Sequence, residues 1–165
     1  MPILAPNTVE IFSHSAEQTR RVGMRLGSML QPGDLLCLQG DLGAGKTTFV
    51  QGLAQGWGAL DAVSSPTFVL VNVYRRADGG QFFHMDAYRL ESIPEAEELD
   101  FESMLAQGPL VIEWAERVRD ILPPACLWIE LTDLEDDRRS LRLNPTGARC
   151  ERLLTDLRRA VYGAD

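Results

Sequence analysis

Lysine occurs once in this 165-residue chain, at Lys46, although Lys and Arg together number 16. Acids outnumber them at 24, which leaves a formal net charge of −8. A protein that grips nucleic acid alone neutralises phosphates with a basic face, so this balance argues against that class. Any work on RNA is expected to run through partners. No run of the sequence approaches the roughly 18 apolar residues of a membrane span. Residues 1–21 lack a basic stretch followed by an apolar one, and so lack the form of a secretory signal. The expected location is the cytoplasm. Cysteine is scarce: Cys37, Cys126 and Cys150 stand far apart and match no metal-ligand spacing. Cys37 and Cys126 lie in apolar runs, where a buried thiol acting as a small hydrophobe is the plain expectation.

What the chain does contain is a regular alternation of element signals. Val9–Phe12 suits a short strand. Ser15 with Gln18 three residues on resembles a capping box opening a helix over 15–30, with Val22, Leu26, Met29 and Leu30 on its apolar stripe. After the Pro32-Gly33-Asp34 turn, Leu35–Gln39 reads as a buried strand. A helix is expected over 47–57, ended by Gly56 and Gly58. Runs at 68–74 and 82–88 flank Asp78-Gly79-Gly80 and are expected to pair as a hairpin. A helix over 91–106, a short strand at Leu110–Ile112 and a helical stretch to Leu122 follow. Strands are expected at 126–131 and 140–143. Pro145-Thr146-Gly147 leads into a last helix with Leu153, Leu154, Leu157 and Val161 on one face.

Between the second strand and the following helix stands Gly40-Asp41-Leu42-Gly43-Ala44-Gly45-Lys46-Thr47, followed by Thr48. Glycine, four residues, Gly-Lys and Ser or Thr make the phosphate-binding loop. Glycines let consecutive backbone N–H groups approach phosphate oxygens, and the helix start favours negative charge. Lysine reaches the β- and γ-phosphates, and the Thr47 hydroxyl can ligate Mg²⁺. The residues from Gly40 to Thr48 are therefore expected to hold ATP with Mg²⁺. The expected fold is α/β, a P-loop NTPase-like three-layer sandwich with a mixed central sheet, and one domain over residues 1–165.

A loop alone hydrolyses nothing; metal and water need carboxylates. Asp86 lies near the end of the strand-like run Phe82–Tyr88, where alternation puts Phe82, His84, Asp86 and Tyr88 on one face. Glu113 follows Leu110–Ile112 directly, at the carboxyl end of a buried strand, where open α/β sheets place ligands. The plain alternatives are a turn or ion-pair carboxylate at Asp86, partnered by Arg89, and a helix-opening acid at Glu113. His84 is expected to pack or hydrogen-bond rather than serve as a base. Trp114 suits core packing, shelter for a nucleotide or guidance of a switch. Ser64-Ser65-Pro66-Thr67 is either a rigid turn or a segment that senses γ-phosphate. The acids Glu95, Glu97, Glu98, Asp100 and Glu102 form a solvated face or a docking surface.

Taken in order, the loop, Ser65-Pro66-Thr67-Phe68, His84-Met85-Asp86-Ala87-Tyr88-Arg89-Leu90 and Ile112-Glu113-Trp114-Ala115-Glu116 resemble the bacterial TsaE family, formerly YjeE. That family is the ATPase component of the machinery that makes N6-threonylcarbamoyladenosine in tRNA. The resemblance implies a small P-loop domain with weak activity alone, working on TsaD and TsaB-like partners that hold most of the tRNA. Their product lies at position 37 of tRNAs reading codons that begin with A. By resemblance, Lys46 and Thr47 hold phosphate and Mg²⁺, while Asp86 and Glu113 complete the metal and water site. Lys46, Asp86 and Glu113 are thus the expected catalytic residues, and Thr47, Asp86 and Glu113 the expected metal site. Thr67 would belong to a switch-like segment, and the region from Phe12 to Thr19 would lie near the base. Arg149 is assigned no chemistry.

Two other function classes use the same loop. A small-molecule kinase is disfavoured by the short chain and the lack of an arginine-rich lid segment, although arginines such as Arg75 and Arg76 keep that class open. A nucleotide-gated binding module would show negligible turnover.

Overall fold

The computed structural model describes residues 7–41, 43–63, 71–88, 90 and 99–163. Its strands are β1 (Val9–Ser13), β2 (Leu35–Gln39), β3 (Val71–Arg75), β4 (Gln81–Asp86), β5 (Leu110–Glu113), β6 (Cys126–Glu135) and β7 (Arg138–Thr146). The described helices are α1 (Ala16–Gly27), α2 (Lys46–Trp57), α3 (Phe101–Gln107) and α4 (Ala148–Tyr162), with a 3-10 helix at Ala115–Ile121. One seven-stranded sheet runs β1-β7-β6-β2-β5-β4-β3. Its centre, β6-β2-β5-β4, is parallel, and antiparallel pairs flank it on both sides. The expected mixed sheet is therefore present, and its carboxyl ends point one way through the centre.

Alternation along each strand feeds two cores. Leu36, Leu38, Val111, Leu127 and Ile129 pack under α1, α2 and α4. Leu35, Cys37, Leu110, Ile112 and Met85 pack on the other face with Phe101 of α3 and Val118 of the 3-10 helix. Helices thus cover both faces of the sheet, giving the three layers. All three cysteines are free and buried. No described helix is long and apolar enough to cross a membrane.

Several boundaries differ from the sequence pattern for identifiable reasons. The box at the start of α1 forms: Gln18 N–H donates to Ser15 Oγ at 3.1 Å, and His14 N–H donates to Gln18 Oε1 at 2.7 Å. The helix ends at Gly27 rather than near Leu30, which instead closes a turn onto the Gly27 carbonyl at 3.2 Å. Strands β6 and β7 outrun the apolar signal because they pair with each other from Cys126↔Thr146 onward, and Pro145 sits inside β7. Arg149 grips Asp34 through two hydrogen bonds, each 3.0 Å, and donates to the Met29 carbonyl at 2.8 Å. That pair ties α4 to the turn before β2.

Gly58 does cap α2, at φ 102°. Gly56 does not end the helix; it lies inside it, against α1. A Cβ there would stand 2.0 Å from the Met24 carbonyl oxygen. The same holds at Gly27, 2.1 Å from the Leu53 carbonyl, and at Gly52, 2.1 Å from that of Arg20. The two helices approach backbone to backbone, so the obstacle to a methyl group is main chain that cannot rotate away. Overpacking costs about 1–3 kcal/mol where side chains can give. Gly27→Ala is therefore expected at or above the top of that range, read as a lowered urea midpoint with an unchanged m-value.

Candidate nucleotide site

The parallel strands bring the loop and both carboxylates to one edge of the sheet. β2 leads into the loop, and its Leu38 lies in register with Glu113 of β5. Glu113 in turn lies in register with Asp86 of β4. The backbone of Glu113 accepts from Ala87 N–H at 2.9 Å, which fastens the ends of β4 and β5 together. Glu113 ends a strand, and the 3-10 helix begins only at Ala115, so it does not open a helix. Asp86 accepts from Tyr88 N–H at 2.8 Å, so it also shapes the turn after β4.

The loop is shaped by close approach and by left-handed backbone. A Cβ on Gly40 would stand 2.5 Å from the Leu131 carbonyl oxygen of β6. Gly45 caps α2 at φ 99°, a conformation that side-chain-bearing residues rarely adopt. No side chain caps the α2 N-terminus among the described residues. Its first N–H groups are therefore available to an anion.

Lys46 is only 6% exposed. Its Nζ donates to the carbonyls of Gly40 and Asp41, the second at 3.0 Å, and lies 4.1 Å from the centre of the Trp114 ring. Burial pushes the ammonium below its ordinary pKa; the carboxylates of Glu113, Glu116, Asp41 and Asp86 pull the other way. Trp114 itself stands at φ 59°, in the left-handed region, a strained position for a residue with a side chain. Its ring is held between Lys46 and Tyr88, whose ring centre lies 4.9 Å away.

Further side chains belong to this edge, and Arg139 and Tyr74 among them stand in no sequence motif. Arg139 of β7 donates to the Gly43 carbonyl and to Asp133, each at 3.1 Å. Its Nε is buried without a hydrogen-bond partner among the described residues, 3.5 Å from where a Cβ on Gly45 would stand. An unused donor beside the loop suits a bound anion. With Asp137 it joins Ala16, Thr19, Gly45 and Thr48 around a small hollow of about 30 Å³. The start of α1 thus reaches the loop, although Phe12 itself is exposed. Glu116 faces a second hollow of about 360 Å³, shared with Gly40, Asp41 and Trp114. Tyr74 donates or accepts at His84 Nδ1 over 2.9 Å, and His84 Nε2 meets Glu113 Oε2 at 2.6 Å.

Other expectations fall elsewhere. Leu42, Arg89, the 64–68 segment with Thr67, and Glu95, Glu97 and Glu98 lie outside the described residues. Arg76 is committed at the far end of α2, where its guanidinium lies 4.5 Å from the Trp57 ring centre and binds Asp78 at 2.9 Å. It is poorly placed to serve as a phosphate lid.

A family model described as threonylcarbamoyl adenosine biosynthesis protein TsaE matches residues 13–141. The chain belongs to the TsaE family. The Bacillus subtilis protein named tRNA threonylcarbamoyladenosine biosynthesis protein TsaE is 39% identical over 87% of this chain and 89% of its own length. Its namesake in Treponema pallidum is 42% identical over 78% of this chain and 95% of its own. The crystal structure of Bacillus subtilis YdiB superposes with a TM-score of 0.77 at 31% identity, covering 93% of this chain and 96% of that one.

Proposed function

We propose that this TsaE-family protein is a single-domain ATPase, dependent on Mg²⁺ and weak alone, whose turnover supports TsaD and TsaB-like partners. Those partners would form N6-threonylcarbamoyladenosine at position 37 of tRNAs reading codons that begin with A. The observation that carries the reading is the three-strand register Leu38–Glu113–Asp86, which sets two carboxylates beside a glycine loop holding a buried lysine. A net charge of −8 agrees with tRNA being held by the partners. The names of the relatives supply the pathway.

The donor set suits the nucleotide and its metal. The open α2 terminus, Lys46 and the unused Arg139 donor offer positive potential where phosphates would lie. Mg²⁺ takes one or two carboxylates plus substrate phosphates and keeps several waters, and Asp86 and Glu113, in register at the ends of β4 and β5, are two carboxylates of that kind. Thr47, Asp86 and Glu113 would hold it, and when bound it neutralises charge on the β- and γ-phosphate oxygens.

The residues then divide the work. Loop amides and Lys46 stabilise the charge that develops as the bond from γ-phosphorus to the bridging oxygen breaks. Glu113 orients the attacking water in line with that bond. Asp86 steadies the metal shell, and Trp114 shelters the site. ADP and phosphate leave, and their release resets the partner complex. The test is phosphate release by the purified chain with and without its partners. The expected result is slow release alone, faster release with partners, and no phosphorylated acceptor; a phosphorylated small molecule would instead make the protein a kinase.

A further inference from the structure

Beyond the loop and its two carboxylates, a chain of buried polar groups crosses the sheet from β3 to β5. His84 is wholly buried on β4, with no exposed surface through which to meet a nucleotide. It lies opposite Asn72 of β3 and Val111 of β5, and its ring sits 5.9 Å from that of Tyr74. The Tyr74 hydroxyl is 2.9 Å from Nδ1, and Nε2 is 2.6 Å from Glu113 Oε2. An ionised carboxylate can only accept, so Nε2 carries the proton in that short contact. In a neutral ring Nδ1 is then the acceptor, and the Tyr74 hydroxyl, 2.9 Å away, donates to it and fixes this tautomer.

We propose that His84 is a positioning residue for hydrolysis: backed by Tyr74, it pins Oε2 of Glu113 and so turns Oε1 toward the attacking water. The inference rests on the reading of Glu113 as the residue that orients that water. A carboxylate at the end of a short strand has freedom about its own side-chain bonds. A hydrogen bond from a ring packed into the sheet removes it. Outer partners of this kind orient the inner groups, and removing them costs about 10–100-fold in affinity or activity.

The experiment measures steady-state ATP turnover and ADP affinity for His84→Met, His84→Gln and Tyr74→Phe, each alone and in a Glu113→Gln background. His84→Met keeps the volume and removes the donor; it is expected to lower kcat by about 10–100-fold while KM and ADP affinity stay within about twofold. His84→Gln retains an N–H donor and is expected to recover most of that loss. Tyr74→Phe is expected to cost less, about threefold to tenfold, because the His84 ring stays packed and its Nε2 contact to Glu113 remains. In the Glu113→Gln background none of the three should reduce turnover further, since residues acting as a unit do not add. A His84→Met loss that persists undiminished in that background overturns the proposal, as does parental kcat in His84→Met. If His84→Met fails to fold by circular dichroism, Tyr74→Phe decides by the same criteria: parental kcat, or a loss that persists undiminished in the Glu113→Gln background, overturns the proposal. Should Glu113→Gln alone leave turnover intact, the failure lies with the role of Glu113 rather than with its positioning.

Discussion

Lys46→Met is expected to lower ATP turnover at least about a hundredfold, the scale of losing one preorganised charge-stabilising donor, while leaving the folded protein no less stable. Both halves follow from one environment. The ammonium is 6% exposed and is held by the carbonyls of its own loop against the Trp114 ring. A group buried there is set for a ligand and costs the fold something to keep charged. Burial depresses its pKa below that of an ordinary lysine. The unfolded chain therefore binds that proton more tightly, and the penalty to stability is fully present below the folded pKa. It fades as pH rises from there toward the unfolded value. Methionine fills a similar volume without the charge. Thermal unfolding of the ligand-free proteins should thus show the variant at or above the parent at neutral pH, with the gap closing in alkali. Calorimetric titration with ADP should show nucleotide binding sharply weakened in the variant.

Glu113→Gln is expected to separate binding from chemistry in the opposite sense. Turnover should fall by about 10²–10⁴, the usual worth of a positioned acid–base group, with ADP affinity close to the parent's. The glutamine carbonyl can still accept from His84 Nε2, so the buried contact at 2.6 Å keeps a partner. Alanine at the same position would leave that ring nitrogen unsatisfied, at a cost of about 1–3 kcal/mol, and would confuse lost activity with lost stability. Phosphate release and ADP titration on the glutamine variant, each beside the parent, are the measurements. Loss of affinity in step with turnover would mean that Glu113 holds nucleotide rather than organises its hydrolysis.

The parts of this protein that were legible in its sequence are those set by local chemistry. The glycine pattern and lone lysine located the loop, since that spacing gathers backbone N–H groups at a helix start. The apolar run before Glu113 located it at the carboxyl end of β5, and Asp86 was read near the end of a run to Tyr88, whereas β4 stops at Asp86 itself. Alternation located both faces of the sheet. What sequence reasoning missed depends on which strand lies beside which. Tyr74 could be linked to Glu113 only once β3, β4 and β5 were known to be neighbours in that register. Arg139 reaches Gly43 from 96 residues away in the chain, by way of strand order alone. Gly56 was misread as a stop signal because a glycine in a helix looks the same whether the helix is ending or another backbone lies against it. Only the α1 contact at the Met24 carbonyl distinguishes the two.

Repeated tRNA modification by purified TsaD and TsaB-like partners tests the central claim most directly, with threonylcarbamoyl-adenylate supplied separately so that its own ATP-dependent synthesis is removed. With the parent chain and ATP, the partners should pass through many rounds. With Lys46→Ala, or with a non-hydrolysable ATP analogue, modification should stop after about one round. Unchanged repeated modification under either condition would contradict the account.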